Sequence, residues 1–152
     1  MKPIKVKDVM TFEPELIDPA DSIKEAAKRM KGMDCGVLPV GEDPDKIIGM
    51  ITDRDITIRV TAEGKDPAKT QVQEVMTRKV HCCDEEDDIE DAAEKMRMNS
   101  VCRLVVNKGK RATGIVTQAE LLRAQGNRDK GDKVLHELVK PQQKAVAGWG
   151  CD

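Results

Sequence analysis

The sequence predicts an α/β (α+β) chain built from two β-α-β-β-α repeats. Three observations lead there: blocks of sequence recur at a fixed spacing, each copy carries an apolar stripe of helical period, and each stripe precedes two short apolar runs joined by a turn. Val6-Lys7-Asp8-Val9-Met10-Thr11 returns as Val72-Gln73-Glu74-Val75-Met76-Thr77, 66 positions on. The run from Asp21 to Met30 returns as Asp87 to Met96 at the same offset. Gly49-Met50-Ile51-Thr52-Asp53-Arg54-Asp55 returns, diluted, as Gly114-Ile115-Val116-Thr117-Gln118-Ala119-Glu120, 65 positions on. Three blocks in one order at nearly one spacing mark a tandem duplication. The repeats span 4–63 and 72–125, with a polar link at 64–71 and a unique tail at 126–152.

Each repeat is justified in order. A lead-in turn presents Val6 and Met10, or Val72 and Met76. A short strand follows near Glu15–Ile17, then an Asp18-Pro19-Ala20-Asp21 turn. Ser22 with Glu25 three residues on is a capping-box signature. Ile23, Ala26, Ala27 and Met30 then stand at i, i+3, i+4 and i+7, one face of a helix. In the second repeat Asp88 takes the cap and Ile89, Ala92, Ala93 and Met96 form the stripe. Two hairpins come next, Gly36–Val40 with Lys46–Ile51 and Cys102–Val106 with Ala112–Val116. Helices at about Asp53–Ala62 and Ala119–Gln125 close the repeats. In the tail, Asp132 is read as the cap of a short helix through Val139, stopped by Pro141. The Trp149 end is either mobile or an anchor on a groove or second subunit.

Composition narrows the function. Hydrophobic residues reach 39% with Phe12 and Trp149 the only aromatics, so the core must be aliphatic and stacking platforms for single-stranded nucleic acid are missing. A net charge of −2 is not the footprint of a phosphate-backbone binder. No apolar run approaches a membrane span, and Met1–Lys5 lacks the apolar core of a signal peptide. The five cysteines, Cys35, Cys82, Cys83, Cys102 and Cys151, are odd in number and contain no Cys-x-x-Cys, which points to a reducing cytoplasm.

Candidate chemistry is sparse. The acids from Asp84 to Asp88 read as a solvated helix start rather than a metal loop, since no glycine-turned alternation of ligands is present. His81-Cys82-Cys83 reads as thiols in a strand, because a metal site would need ligands from a second segment. No nucleophile, base and acid stand in a catalytic pattern and no glycine-rich phosphate loop is present, so no enzyme activity, catalytic residue or catalytic cofactor is expected. That leaves the two strand-to-helix junctions. Taken alone, Thr52 is a helix cap and Asp53 and Asp55 are first-turn acids that stabilise the helix dipole.

The chain resembles the tandem cystathionine-β-synthase (CBS) domain family. The resemblance rests on the Val-Met-Thr lead-ins, the capped Ala-Ala helices, the Leu38-Pro39-Val40 strand and the Gly-apolar-x-Thr-x-x-Asp signature at Gly49 to Asp55, and it covers residues 4 to about 125. It implies a stand-alone pair of repeats packed in pseudo-twofold symmetry, a homodimer, and clefts between repeats that hold AMP, ADP, ATP or S-adenosylmethionine. Residue by residue it implies Thr52 as the phosphate contact, with free N–H groups of the helix start beside it. Asp55 would accept two hydrogen bonds from a ribose diol, and Arg54 would add charge to the phosphate contact. Leu38 and Pro39, with Gly36 and Val37, would wall the adenine, and Thr11 would close the pocket. The second site departs from the pattern: Glu120 replaces the Asp beside Thr117, Val105 stands for Pro39, and Arg103 aligns with Val37. It is expected to be the weaker of the two.

The expected function is regulatory: an adenine nucleotide binds, and an unidentified partner protein reads the occupancy. The degraded second signature supports an alternative, a structural or dimerisation module without a ligand.

Overall fold

The lead-in Val6–Asp8 folds as one turn of 3-10 helix, and chain order then runs β1 (Thr11–Phe12), α1 (Ile23–Met33), β2 (Val37–Val40) and β3 (Gly49–Thr52). Helix α2 (Asp53–Ile56) continues into a π-helical turn at Thr57–Thr61, followed by α3 (Val72–Val75) and β4 (Cys82–Asp84). Helix α4 (Ile89–Asn99), β5 (Arg103–Lys108), β6 (Arg111–Thr117) and α5 (Gln118–Gly126) complete the order. The computed structural model describes residues 2–12, 14–126 and 137. Apart from Glu137, whose carboxylate pairs with Arg97 on α4 at 2.9 Å, the expected tail helix and Trp149 lie outside the described residues.

The described residues form two compact units, and their limits differ from those of the sequence repeats. One unit is the continuous stretch 14–80; the other joins 2–12 to the chain from residue 81 onward. The lead-in that precedes each repeat in sequence therefore belongs to the unit built on the other repeat. In the 14–80 unit, β2 and β3 form an antiparallel hairpin from Val37↔Thr52 to Val40↔Gly49. Ile17 bridges Val40 in parallel on one side, and Thr77 bridges Met50 antiparallel on the other. The other unit has the same layout written with longer strands, in the order β1-β6-β5-β4. There β1 pairs antiparallel with β6, and Cys83 on β4 lies beside Val106 in parallel, as Ile17 lies beside Val40.

Each unit has its own aliphatic core. Ile17, Ile23, Ala26, Met30, Leu38, Val40, Ile51, Val60, Val72, Val75 and Met76 fill the first. Val6, Met10, Cys83, Ile89, Ala92, Ala93, Met96, Leu104, Val106, Val116 and Leu121 fill the second. The Val and Met of each lead-in thus cap the core of the unit they join, which is why those positions are apolar. The helical stripes lie as expected with one exception: Ala93 is buried, but its counterpart Ala27 faces out.

The expected caps hold in position and differ in chemistry. Ser22 is the N-cap of α1 and its Oγ accepts the Glu25 N–H at 3.1 Å. The Glu25 carboxylate does not reach back to complete the box; Arg29, one turn on, takes it at 3.1 Å. Asp88 occupies the N-cap of α4 without capping through its side chain. Its carboxylate instead accepts from Lys5 Nζ at 2.7 Å, because the lead-in backbone of Lys5 bridges Asp88 and brings the ammonium there.

Candidate functional site

The first junction is a closed capping box. Thr52 ends β3 in extended conformation, so its hydroxyl faces the orphan N–H groups of the helix start. Thr52 Oγ1 accepts the Asp55 N–H at 3.0 Å, and the Thr52 N–H donates to Asp55 Oδ2 at 3.1 Å. Both residues are 4% exposed. A buried carboxylate needs further donors, and the lead-in supplies one. The Thr77 hydroxyl lies 3.1 Å from Asp55 Oδ1 and 3.3 Å from Oδ2. Arg59, on the π-helical turn one helical turn after Asp55, brings Nη1 to 3.7 Å from Oδ1. The same Nη1 donates to the carbonyls of Val75 and Met76 at 2.9 and 3.1 Å.

Around this box the expected ligand residues divide by strand face. The Asp53 N–H donates to Gly36 O at 3.0 Å, and the Asp53 carboxylate lies so close to Gly36 that a Cβ there would meet Oδ2 at 2.7 Å. Arg54 is half-buried beside it, its N–H held by Asp53 Oδ1 at 2.9 Å. Alternation along β2 and β3 puts Val37, Pro39, Met50 and Thr52 on one face and Leu38, Val40 and Ile51 on the other. Leu38 is 1% exposed within the core of its unit, on the face away from Thr52. Val37 and Pro39 lie on the Thr52 face.

Thr11 stands in the unit that holds β6. It pairs with Ile115 on β6, and its hydroxyl donates to Glu120 Oε1 at 2.8 Å. It belongs to the unit of the second junction, and Thr77 does for Asp55 what Thr11 does for Glu120. Sequence reasoning missed Thr77 and Arg59. The signal for Thr77 was its equivalence to Thr11 at the repeat offset; Arg59 has none, since Ala124 stands at its place in the second copy.

The second junction keeps the box. The Thr117 N–H donates to Glu120 Oε2 at 2.8 Å, and the Glu120 N–H reaches Thr117 Oγ1 at 3.3 Å. The added methylene of Glu is absorbed without loss of geometry, as at the third position of other capping boxes. Glu120 and Thr117 are only half-buried, so this junction is the more open one. Arg103 and Val105 share the Thr117 face of the β5–β6 pair. Arg103 Nη1 is a buried side-chain atom with no hydrogen-bond partner among the described residues.

Metal chemistry finds no centre: among the described residues no group of three or more His, Cys, Asp or Glu is arranged to hold an ion. Cys82 and Cys83 point to opposite faces of β4, one exposed and one buried. Burial pushes the Cys83 thiol up to about 12. The acidic turn is held by local bonds: Asp87 Oδ2 accepts the Asp84 N–H at 3.0 Å and Lys95 Nζ at 2.8 Å. Among the described residues no helix is long and apolar enough to cross a membrane.

Two copies of one half-unit, each ending in a Gly-x-x-Thr-x-x-acid capping box, define a tandem-repeat α+β fold. The chain belongs to the CBS domain family, whose model matches residues 6–61 and again 72–127. It is 37% identical over 116 residues to the CBS domain-containing protein YhcV of Bacillus subtilis, covering 76% of this chain and 81% of that one. It is 32% identical to hypoxic response protein 1 of Mycobacterium tuberculosis, covering 77% of this chain and 82% of that one. A crystal structure of hypoxic response protein I with two coordinated zinc ions aligns at TM-score 0.70 and 31% identity, covering 79% of this chain and 98% of that one. The CBS domain pair of protein MJ0100, solved with 5-methylthioadenosine and S-adenosylmethionine, aligns at TM-score 0.73 and 29% identity over 82% of this chain and 98% of that one.

Proposed function

We propose that this chain is a regulatory module that takes an adenosine-containing ligand at the Thr52–Asp55 junction and passes its occupancy to a partner protein. The observation that carries the reading is the Asp55 carboxylate. It is buried beside a strand-end hydroxyl and below the Val37–Pro39 face, and two of its contacts come from a threonine hydroxyl that a ribose hydroxyl can replace. The Arg54 guanidinium supplies positive charge for a phosphate or carboxylate of the ligand. The nucleosides bound by the MJ0100 pair support adenosine as the common element. The Glu120 junction is the second, weaker site. The responding species is a homodimer, for which the exposed Met33 and Ile58 of one unit and Met98 and Leu122 of the other are available apolar surface.

Titration calorimetry with AMP, ADP, ATP and S-adenosylmethionine tests this. Binding of at least one, lost on Asp55→Asn, is the expected result. Absence of heat with all four, together with a purified protein that carries no adenine chromophore, would remove the reading. A ligand-free structural module is the second reading, and one observation favours it: every Asp55 contact is already made within the unit. On that reading Asp55→Asn lowers stability and leaves partner binding intact.

A further inference from the structure

The Asp55 carboxylate holds more than its own helix. Its two oxygens take the Thr77 hydroxyl, and its neighbour Arg59 takes the Val75 and Met76 carbonyls through the same Nη1 that faces Oδ1. Backbone bonds complete the grip: Met50 N–H to Thr77 O at 2.8 Å and Thr77 N–H to Met50 O at 2.9 Å. Residues 75–77 are thus fastened to β3 by one carboxylate, one guanidinium and one backbone pair. Three residues later, at Val80, the chain leaves this unit and enters the other. The arrangement is built twice, since Thr11 fastens to Glu120 in the same way, but only the first copy has the arginine.

We infer that Thr77 and Arg59 are positioning residues of a latch in which the 75–77 segment and the ligand compete for Asp55. This rests on the reading above that Asp55 receives the ribose hydroxyls. A carboxylate offers about four acceptor positions; the Thr52 N–H and the Thr77 hydroxyl fill both on Oδ2 and the hydroxyl takes one on Oδ1, so a diol finds only one open. A ribose diol on Asp55 therefore displaces the Thr77 hydroxyl. It leaves Arg59 as the remaining side-chain fastening of the segment. Occupancy is converted into loosening of the chain that leads out of the unit. Coupling of this kind is reciprocal, so whatever loosens the segment must tighten the ligand by the same factor.

The test uses the full chain and four variants: Thr77→Val, Thr77→Ser, Arg59→Gln and Asp55→Asn. Calorimetry is run with AMP, ADP, ATP and S-adenosylmethionine, and amide hydrogen exchange is followed at residues 75–77 with and without each. Thr77→Val removes the competing hydroxyl at nearly constant shape. It should bind the ligand that wild type binds about threefold to tenfold more tightly, the worth of one modest hydrogen bond. Thr77→Ser should restore the wild-type constant. Ligand should speed exchange at Thr77 in wild type, and Arg59→Gln should speed it without ligand. If wild type binds and Asp55→Asn does not, yet Thr77→Val has an unchanged constant and ligand leaves exchange at Thr77 unchanged, the latch is wrong and the ligand site stands. If neither wild type nor Thr77→Val binds any of the four, both fall.

Discussion

A Cβ placed on Gly114 would stand 2.5 Å from the carbonyl oxygen of Thr11, and 2.8 Å from Met10 Sδ. The same relationship recurs in the other unit, where a Cβ on Gly49 would meet Thr77 O and Met76 Sδ, each at 2.8 Å. The glycine that opens each junction signature is therefore demanded by the lead-in backbone lying against it, whatever binds at the far end of the signature.

Gly114→Ala should lower unfolding free energy by about 1–3 kcal/mol, the usual cost of overpacking against backbone that cannot yield. Gly49→Ala should cost a similar amount. Gly32 is the control: it lies in α1 with nothing within 4 Å of an added Cβ, and Gly32→Ala should stabilise by about 0.5–1 kcal/mol. Urea unfolding curves measure all three. Equal effects at Gly114 and Gly32 would refute the close approach.

Thr52→Ala removes a cap in a buried setting and leaves the Asp55 N–H without its acceptor. The expected loss is about 1–2 kcal/mol. Thr117→Ala, at the more open junction where water can substitute, should cost less, about 0.5–1 kcal/mol. Thermal melts of the two single variants decide the order.

Asp87 and Lys95 give a pH dependence. Burial alone would raise the Asp87 carboxyl, but the Lys95 hydrogen bond and the Asp84 N–H outweigh it and hold the group below its ordinary 3.8. The hydrogen bond from Asp87 raises Lys95 above 10.5. The Asp87 contribution is complete above the unfolded carboxyl value and is lost as pH falls through the lower folded one. The Lys95 contribution is complete below 10.5 and is lost as pH climbs through the higher folded value. Asp87→Asn should thus cost a constant amount at intermediate pH and less in acid. Lys95 is 44% exposed, so the plateau is small, about 0.5–1 kcal/mol. Chemical denaturation at several pH values would show the plateau and its acid shoulder.

The vicinal thiols should behave as two different groups. In the native protein at mildly alkaline pH, iodoacetamide should modify Cys82 slowly, because burial raises that thiol too, and should leave Cys83 untouched. Both should react after denaturation. Peptide mapping distinguishes them, and native labelling of Cys83 ahead of Cys82 would contradict the strand-face assignment.

What the sequence made legible was local. The stripes of α1 and α4 and the N-cap positions of Ser22, Thr52 and Asp88 depend on spacings within about ten residues, and they are in the structure apart from the outward Ala27. The face that Leu38 takes was not legible because Val37-Leu38-Pro39-Val40 is apolar at every position. Such a run sets no phase for which side chains face the core. The junction that Thr11 joins was not legible for a different reason. Thr11 and Thr77 stand in equivalent lead-ins, and only long-range pairing decides which joins which junction. Glu120 reads as a departure from the Asp of the first copy, but the backbone of a helix start accommodates either acid.

The exchange of lead-ins makes one unit an insert within the other. Residues 14–80 are continuous, so a ribosome delivers that unit whole before β4 is made. The other unit has its first strand in hand from the start and its partner strand, β6, only after residue 117. Thr11 and Phe12 must therefore wait, unpaired, through the synthesis of some hundred residues. At about 5–20 residues per second that is seconds of exposure for Thr11 and Phe12 as an open strand edge. A circular permutant that begins at residue 14 and carries 2–12 after the β6–α5 segment would give each unit a continuous stretch of chain and abolish the wait.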